Sequence, residues 1–419
     1  MKKMAIIGTG ISGMSCAYFL QDHFDITIFE KNDYIGGHTN TIETCYEGEK
    51  AVFDTGFMVF NEVTYPNLLK LFKKLDVNYY DTQMSFSVAD KNIGVEYNGS
   101  SLGGLFSQWQ NIFNLKHLKM LFNIDRFNKK SPQILSDEFY SDMTVSEFVE
   151  KWQLGEEFLH RFLVPMSSAV WSTPHDKMLE FPIKTLVRFF FNHGFMGLNT
   201  QHQWKTVEGG SREYRDKLIA SFKDRIKVSS KVERVVQHRE GVDVYVNGVK
   251  HSFDKVIMAS HADESYAVID NPTDVQRSIL SQFSYHENTA IVHTDINVLP
   301  KLKKNWSAWN YISDTGARGT QTFTVYNMNV LQNLKTKHHY LININGEEFI
   351  SENKIIKKIK YHHPVFDIHA VNAQKRIHEL NASHSNIYFC GAWQRYGFHE
   401  DGLLSAVNLC ESILGKEVL

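Results

Sequence analysis

The spacing of apolar and polar positions changes several times along the chain, and each change marks an element. MAIIG is a short apolar run, GTGISG interrupts it, MSCAYFLQDHF carries apolar residues at helical spacing, and DITIFE alternates. This order predicts strand, tight turn, helix, strand, which is half of a βαβ unit. Helical spacing of aliphatic and aromatic residues follows over 102–130, 145–163 and 182–195. Strand patterns return at 226–236, 242–246, 255–259, 289–293, 321–326 and 340–344, and a strand at 386–390 precedes a final helix. No internal repeat and no low-complexity linker occurs, so segment boundaries follow motifs rather than composition.

Within the first helical stretch, Leu105, Trp109, Phe113, Leu118 and Phe122 form a stripe that reads first as buried core. The same stretch, FNLKHLKMLFNIDRFNKK, mixes Lys and Arg with large apolar residues, as a helix lying on a membrane surface does. These two readings, and that of a pocket wall for an elongated apolar molecule, stay open at the level of sequence.

A chain of 419 residues exceeds what one small core needs, so two interleaved domains are expected. The 29 Phe, 18 Tyr and 7 Trp raise the aromatic share to 13% and point to a roomy apolar ligand cavity. A formal net charge of −2 provides no field to collect a polyanion, which argues against nucleic-acid binding. Cys16, Cys45, Cys390 and Cys410 form no CxxC pair, so they are expected as buried, reduced thiols rather than a zinc or dithiol centre. The opening MKKMAIIGTGISGMSCAYFL imitates a secretory signal, but its three glycines argue against one, and the expected location is cytoplasmic. The most apolar stretch, 181–198, contains Lys184, Arg188 and His193 and is not expected to span a membrane.

Gly8, Gly10 and Gly13 form GxGxxG directly after the first strand and at the opening of a helix. Gly8 permits a sharp turn, Gly10 lets backbone amides approach a pyrophosphate, and Gly13 lets the helix pack close to the strand. Ile11 and Ser12 lie in the same loop. Glu30, followed by Lys31, ends the second strand, where a carboxylate accepts ribose hydroxyls and repels a 2′-phosphate. A second pair, Gly36 and Gly37, then brings the chain back to the dinucleotide, with His38 and Thr39 next. That second approach favours FAD over NAD.

Here the sequence resembles the flavoprotein superfamily of amine oxidases, protoporphyrinogen oxidases and phytoene desaturases, whose second fingerprint is an acid followed by a glycine pair. Many relatives place Arg after the pair. This chain has His38, which implies that the guanidinium contact is absent or that an imidazole replaces it, as a hydrogen-bond donor or, less simply, as a covalent flavin attachment. Four further segments carry the resemblance: FDTGFMVFN, WKTVEGGSREY, DKVIMASHA and YFCGAW with GFHEDGLLSA. By resemblance, Val59, Phe60 and Asn61 lie near the isoalloxazine, Val232 and Val235 cover the adenine, and Ser260 ends a strand near the dinucleotide. Gly391 and the turn Glu400, Asp401, Gly402 and Leu403 would face the flavin's N1–C2=O2 edge through a helix amino terminus. GGHTNT, WNY and RYGFHEDGL further match a subgroup of FAD-dependent amine-oxidase-like proteins over nearly the full length.

The expected fold is α/β: a glutathione-reductase-type, Rossmann-like FAD-binding domain from 1–85, 205–275 and 375–419, with an interleaved α+β substrate domain from 86–204 and 276–374. The expected chemistry is hydride transfer to flavin N5 from an apolar, lipid-like or isoprenoid small molecule. Amine oxidation and flavin-dependent double-bond isomerisation remain alternatives. No HExxH, GxxxxGK[ST] or Ser/His/Asp arrangement occurs, so no metal, phosphoryl-transfer or hydrolase site is expected. His38, His399, Tyr326 and Glu400 are candidate acid–base groups, Trp393 and Tyr396 candidate aromatics, and none is assigned as the catalytic base.

Overall fold

A computed structural model describes residues 1–197, 200–381 and 385–419. At its centre Lys2–Ile7 lies in a five-stranded sheet in the order Ile226–Lys227, Phe24–Phe29, Lys2–Ile7, Lys255–Met258, Ile387–Phe389. Every neighbouring pair in it is parallel. Its middle strands are buried on both faces, with Met4, Ala5, Ile6, Val256, Ile257 and Met258 inaccessible to solvent, as continuous apolar runs in a parallel sheet require. Helix Ile11–Leu20 packs against the carboxyl-terminal helix His399–Leu414. Parallel order places all the carboxyl ends of the strands on one edge, where ligands of open α/β sheets bind.

A four-stranded sheet, Val249–Phe253, Gly241–Val246, Val232–His238 and Ile269–Asp270, lies next to the parallel one in sequence and shares its apolar core. A larger sheet of seven strands contains Phe86–Asp90 and Val95–Asn98 from the first half of the chain. Ser284–His293, Trp309–Gly316, Gly319–Asn327, Leu341–Ile344 and Ile355–Val365 complete it. Between the two halves of this sheet in sequence come the helices, including Leu115–Lys130, Val145–Lys151, Val164–Trp171 and Ile183–Asn192. The pattern expected as one helical stretch over 145–163 is broken after Lys151: Gln153 at φ +51° turns the chain, and Gly155 at φ +82° precedes the next helical turn, Glu156–Phe158. One apolar core runs from Met4 and Cys410 through Phe60 to Phe158 and Phe190, so the helical segment is packed onto the parallel sheet.

Two expectations fail. Of the stripe read as core, Trp109, Phe113, Leu118 and Phe122 are exposed, while His117, Met120, Asn123 and Phe127 turn inward. Periodicity shows that a helix has two faces but not which one is covered. Cys45 is exposed, whereas Cys16, Cys390 and Cys410 are buried thiols, the first two with sulfurs 3.7 Å apart.

Candidate functional site

A cavity of about 960 Å³ opens at the carboxyl edge of the parallel sheet and extends under the seven-stranded sheet. That is near the upper limit of the roughly 300–1,000 Å³ of small-molecule sites. Its first end is built by strand termini. Gly8 follows the first strand with φ +103°, and a Cβ there would meet the Ala259 carbonyl oxygen at 2.9 Å. A Cβ on Gly13 would lie 2.0 Å from the Gly8 oxygen, so Gly13 supports the loop from behind rather than facing the cavity. At Gly10 no atom lies within 4 Å of the Cβ position, which is open space in front of the loop. Gly37, at φ +59°, brings the second loop against the first, its Cβ position 3.3 Å from the Gly10 Cα. Helix Ile11–Leu20 starts with no side-chain cap and no acid in its first turn, which leaves its first amides for an anion.

Glu30 is buried and holds the loop through Oε2, which accepts from the Thr9 amide at 2.9 Å and the Thr9 hydroxyl at 2.6 Å. Its Oε1 accepts from the Asn32 amide. Asp54, the acid of FDTGF, is fully enclosed and joins three segments of chain. It accepts from the Ser211 amide and hydroxyl, the Thr41 hydroxyl and the Gln332 amide nitrogen Nε2, at 2.9, 2.6, 2.5 and 2.8 Å. Burial raises its carboxyl above the usual range against these bonds.

The second end is aromatic. Val170, Trp171, Phe189 and Phe195 come from the helical segment, Trp204 from a short strand, and Trp309 and Tyr326 from the seven-stranded sheet. Between the ends stand histidines. His38 stacks on Tyr361 with ring centres 4.8 Å apart and meets His363 edge-on at 5.3 Å. Burial holds His38 down at about 4 and His399 at about 3, so both are neutral at pH 7. His363 is also held well below its ordinary value by burial. Asn288 Nδ2 donates to the Ser172 carbonyl at 2.8 Å, which fixes the orientation of the amide. The same nitrogen lies 2.9 Å from His363 Nδ1, so that ring nitrogen accepts and Nε2 carries the proton. The His363 ring lines the cavity with its donor nitrogen unspent on Asn288.

Of the residues expected at a cofactor site, Gly8, Gly10, Ile11, Ser12, Glu30, Lys31, Gly37, His38, Val59, Val232, Ser260 and Gly391 line this one cavity. The others lie behind it. Gly36 turns the loop at φ +125°, and Thr39 bonds Tyr214 and His399. Phe60 is buried against Phe57, Tyr65 and Phe72, and Asn61 Oδ1 accepts the amides of Val63 and Thr64. Val235 is in the core.

The side chains of the carboxyl-terminal turn are bonded within the fold. Glu400 accepts the amides of Asn67 and Leu68, each at 2.9 Å, and so caps the Pro66–Lys74 helix. Asp401, pushed up to about 7 by burial, accepts the Phe398 amide. The Gly402 amide donates to the Phe398 carbonyl at 3.0 Å and is not available to a ligand. Leu403 is in the core. His399 lines the cavity, but its ring is stacked on Phe57 at 3.9 Å and bonded to Tyr214. Tyr326 donates to the Ala169 carbonyl. His363 and, in the aromatic wall, Val170, Trp171, Phe189, Phe195 and Trp204 were not found from sequence. Their signal was only a high aromatic content, since they come from segments remote from one another.

A sequence profile of the flavin containing amine oxidoreductases matches residues 11–331. The chain belongs to this family of flavoproteins. Its cofactor is FAD. Amine oxidase [flavin-containing] A of Bos taurus is 23% identical over 253 residues, covering 58% of this chain and 46% of that protein. The chain thus spans about half the length of that relative. The 4,4'-diaponeurosporene oxygenase of Staphylococcus haemolyticus is 35% identical over 162 residues, 38% of this chain and 26% of the relative. In fold, putrescine oxidase superposes with a TM-score of 0.70 at 15% identity, covering 99% of each chain.

Three observations fit a dinucleotide flavin here. The space before Gly10 would be filled by any side chain, the helix amino terminus behind it is uncapped, and His38 Nε2 is buried without a partner. An orphaned buried imidazole nitrogen beside an open cavity suits a polar ligand. Trp204, Trp309 and Trp393, which also line the cavity, carry buried indole donors without partners.

Proposed function

We propose that the protein is an FAD-dependent oxidoreductase that dehydrogenates a neutral, elongated, apolar molecule of lipid or isoprenoid type. The observation that carries this reading is the composition of the second cavity end. The charged side chains lining the cavity, among the described residues, are Glu30, Lys31, Lys231, Glu233, Glu264 and Lys360. None belongs to the helical segment, and Lys360 is turned to solvent and paired with Glu287. The aromatic wall therefore offers a neutral molecule a large apolar area at about 25 cal/mol per Å² and offers a cation no counter-charge.

In this reading residues 1–85, 205–275 and 375–419 hold the cofactor, and 86–204 and 276–374 shape the substrate chamber. The Gly8–Gly13 loop and the amides of Ile11 and Ser12 take the diphosphate, with Glu30 and Lys31 at the ribose. Val232 and Ser260 border the adenine side. Gly37, His38, Val59 and Gly391 border the redox half, where His38 Nε2 donates a hydrogen bond in place of a guanidinium. Bound FAD supplies the two-electron acceptor for hydride leaving a substrate C–H bond. Trp171, Phe189 and Trp309 orient the substrate and exclude water, and His363 Nε2–H donates a hydrogen bond into the chamber.

The test is anaerobic mixing of the flavin-loaded protein with unsaturated fatty acids, isoprenoids and primary amines, following the flavin absorbance. An apolar compound should bleach the flavin while amines leave it oxidised. Bleaching by amines alone overturns the substrate class.

A further inference from the structure

The outward face of residues 102–122 has no partner within the fold. Among the described residues, Leu102, Trp109, Ile112, Phe113, Leu115, Leu118 and Phe122 are all exposed, and Trp109, Phe113, Leu115 and Phe122 are 67, 77, 81 and 67% accessible. Seven of the 17 exposed large apolar side chains among the described residues thus fall in 21 consecutive residues. Scattered apolar residues are ordinary on a surface, but a contiguous group is not. The cluster projects from a short 3₁₀ turn, Trp109–Ile112, and the first turns of helix Leu115–Lys130. At 3.6 residues per turn, Leu115, Leu118 and Phe122 fall within about 60° of one another on that helix.

The same face carries cations. Lys129 falls within the stripe of Leu115, Leu118 and Phe122, and Arg126, Lys119 and Lys130 lie within about 60° of its edge at Leu115. Lys119, Lys129 and Lys130 are exposed and Arg126 is half-buried. Between 102 and 130 five basic side chains, including Lys116, stand against the single acid Asp125, in a chain whose net charge is −2. Lys116 and Lys129 have partners in Glu157 and Asp125. Lys119 and Lys130 have none among the described residues.

We propose that this face docks the protein peripherally on an anionic lipid bilayer, with Trp109, Phe113, Leu115 and Phe122 inserted at the headgroup boundary and the lysines on acidic headgroups. Large apolar side chains beside lysines, on a helix lying along the surface, are the pattern of interfacial membrane binding. Lysine is depleted in protein–protein interfaces, which disfavours a protein occupant. A second copy of the chain would set one basic face against another under two-fold symmetry. No helix among the described residues is long and apolar enough to cross a membrane, so the contact proposed lies at one face of the bilayer. It does not depend on the substrate class, because docking is measured without turnover.

The flavin-loaded protein is floated with phosphatidylcholine vesicles, with and without phosphatidylglycerol. It should rise with the anionic vesicles, and added salt should weaken the association. The combined Trp109→Ser, Phe113→Ser and Phe122→Ser variant should remain with the soluble fraction while keeping its flavin content and thermal midpoint. Lys119→Ala and Lys130→Ala should each lower partitioning about fivefold, the effect of roughly 1 kcal/mol per surface cation. Wild-type protein that stays down with anionic vesicles overturns the proposal. So does a serine variant that floats as well as wild type, or a concentration-dependent dimer that the serine substitutions dissolve.

Discussion

At the residue scale the chemistry of the cavity depends on which nitrogen of each imidazole carries a proton. His38 and His399 are neutral because burial penalises the cation. His363 is neutral and also restricted to one tautomer, because Asn288 spends its amide nitrogen on both the Ser172 carbonyl and His363 Nδ1. Asn288→Ala should release that restriction. The ¹⁵N shifts of His363 should change from one tautomer to a mixture, with a stability loss of about 1–3 kcal/mol for the partners left unpaired. A spectrum still showing Nε2–H alone refutes the role given to Asn288.

At the element scale, side chains of the carboxyl-terminal turn are taken up by packing within the fold. A strand, a glycine turn and a helix opening with Glu-Asp-Gly suggest a helix amino terminus aimed at a ligand. In the fold the Glu400 carboxylate caps a neighbouring helix, and the Gly402 carbonyl accepts the Ser12 hydroxyl at 2.8 Å. A Cβ on Gly402 would meet Ile11 Cγ2 at 2.7 Å, so glycine is required by the close approach of two helices. Gly402→Ala should therefore lower stability by about 1–3 kcal/mol through overpacking while FAD content is retained. A variant that keeps its thermal midpoint and loses FAD places this glycine at the cofactor instead.

On the scale of the whole molecule the buried imidazoles govern acid stability. Burial holds His38, His193, His261 and His293 at about 4 and His399 at about 3. A histidine in the unfolded chain titrates near about 6.5. The unfolded chain therefore binds more protons than the fold once pH drops below that value. The stabilising contribution is complete above about pH 6.5 and is lost toward pH 4, by up to about 1.4 kcal/mol per pH unit for each imidazole. His293 is the simplest to test, since Nε2 donates to Asn343 and Nδ1 accepts the Asp295 amide, remote from the cavity. Thermal midpoints should fall steeply between pH 7 and 5, and His293→Gln, though less stable at pH 7, should show a shallower fall. Equal slopes in the two proteins refute this account.

The glycine loops and the acid after the second strand were legible in the sequence because their requirement is local. A turn with positive φ at Gly8, open space before Gly10 and a carboxylate one strand away are demands of backbone geometry, which neighbouring residues express directly. Alternation and helical spacing likewise marked the strands of the parallel sheet and the helices Ile11–Leu20, Leu115–Lys130, Ile183–Asn192 and His399–Leu414, since the periods 2 and 3.6 are properties of the backbone, but not Phe86–Asp90, Trp309–Gly316 or Ile355–Val365 of the seven-stranded sheet. The tertiary structure alone decided which surface each pattern meets. Trp109, Phe113 and Phe122 have the spacing of a core stripe and face outward, and Asn288 and His363 become neighbours only because two antiparallel strands pair 75 residues apart. Burial, tautomer and partner are properties of what closes over a residue, and that is set by distant parts of the chain.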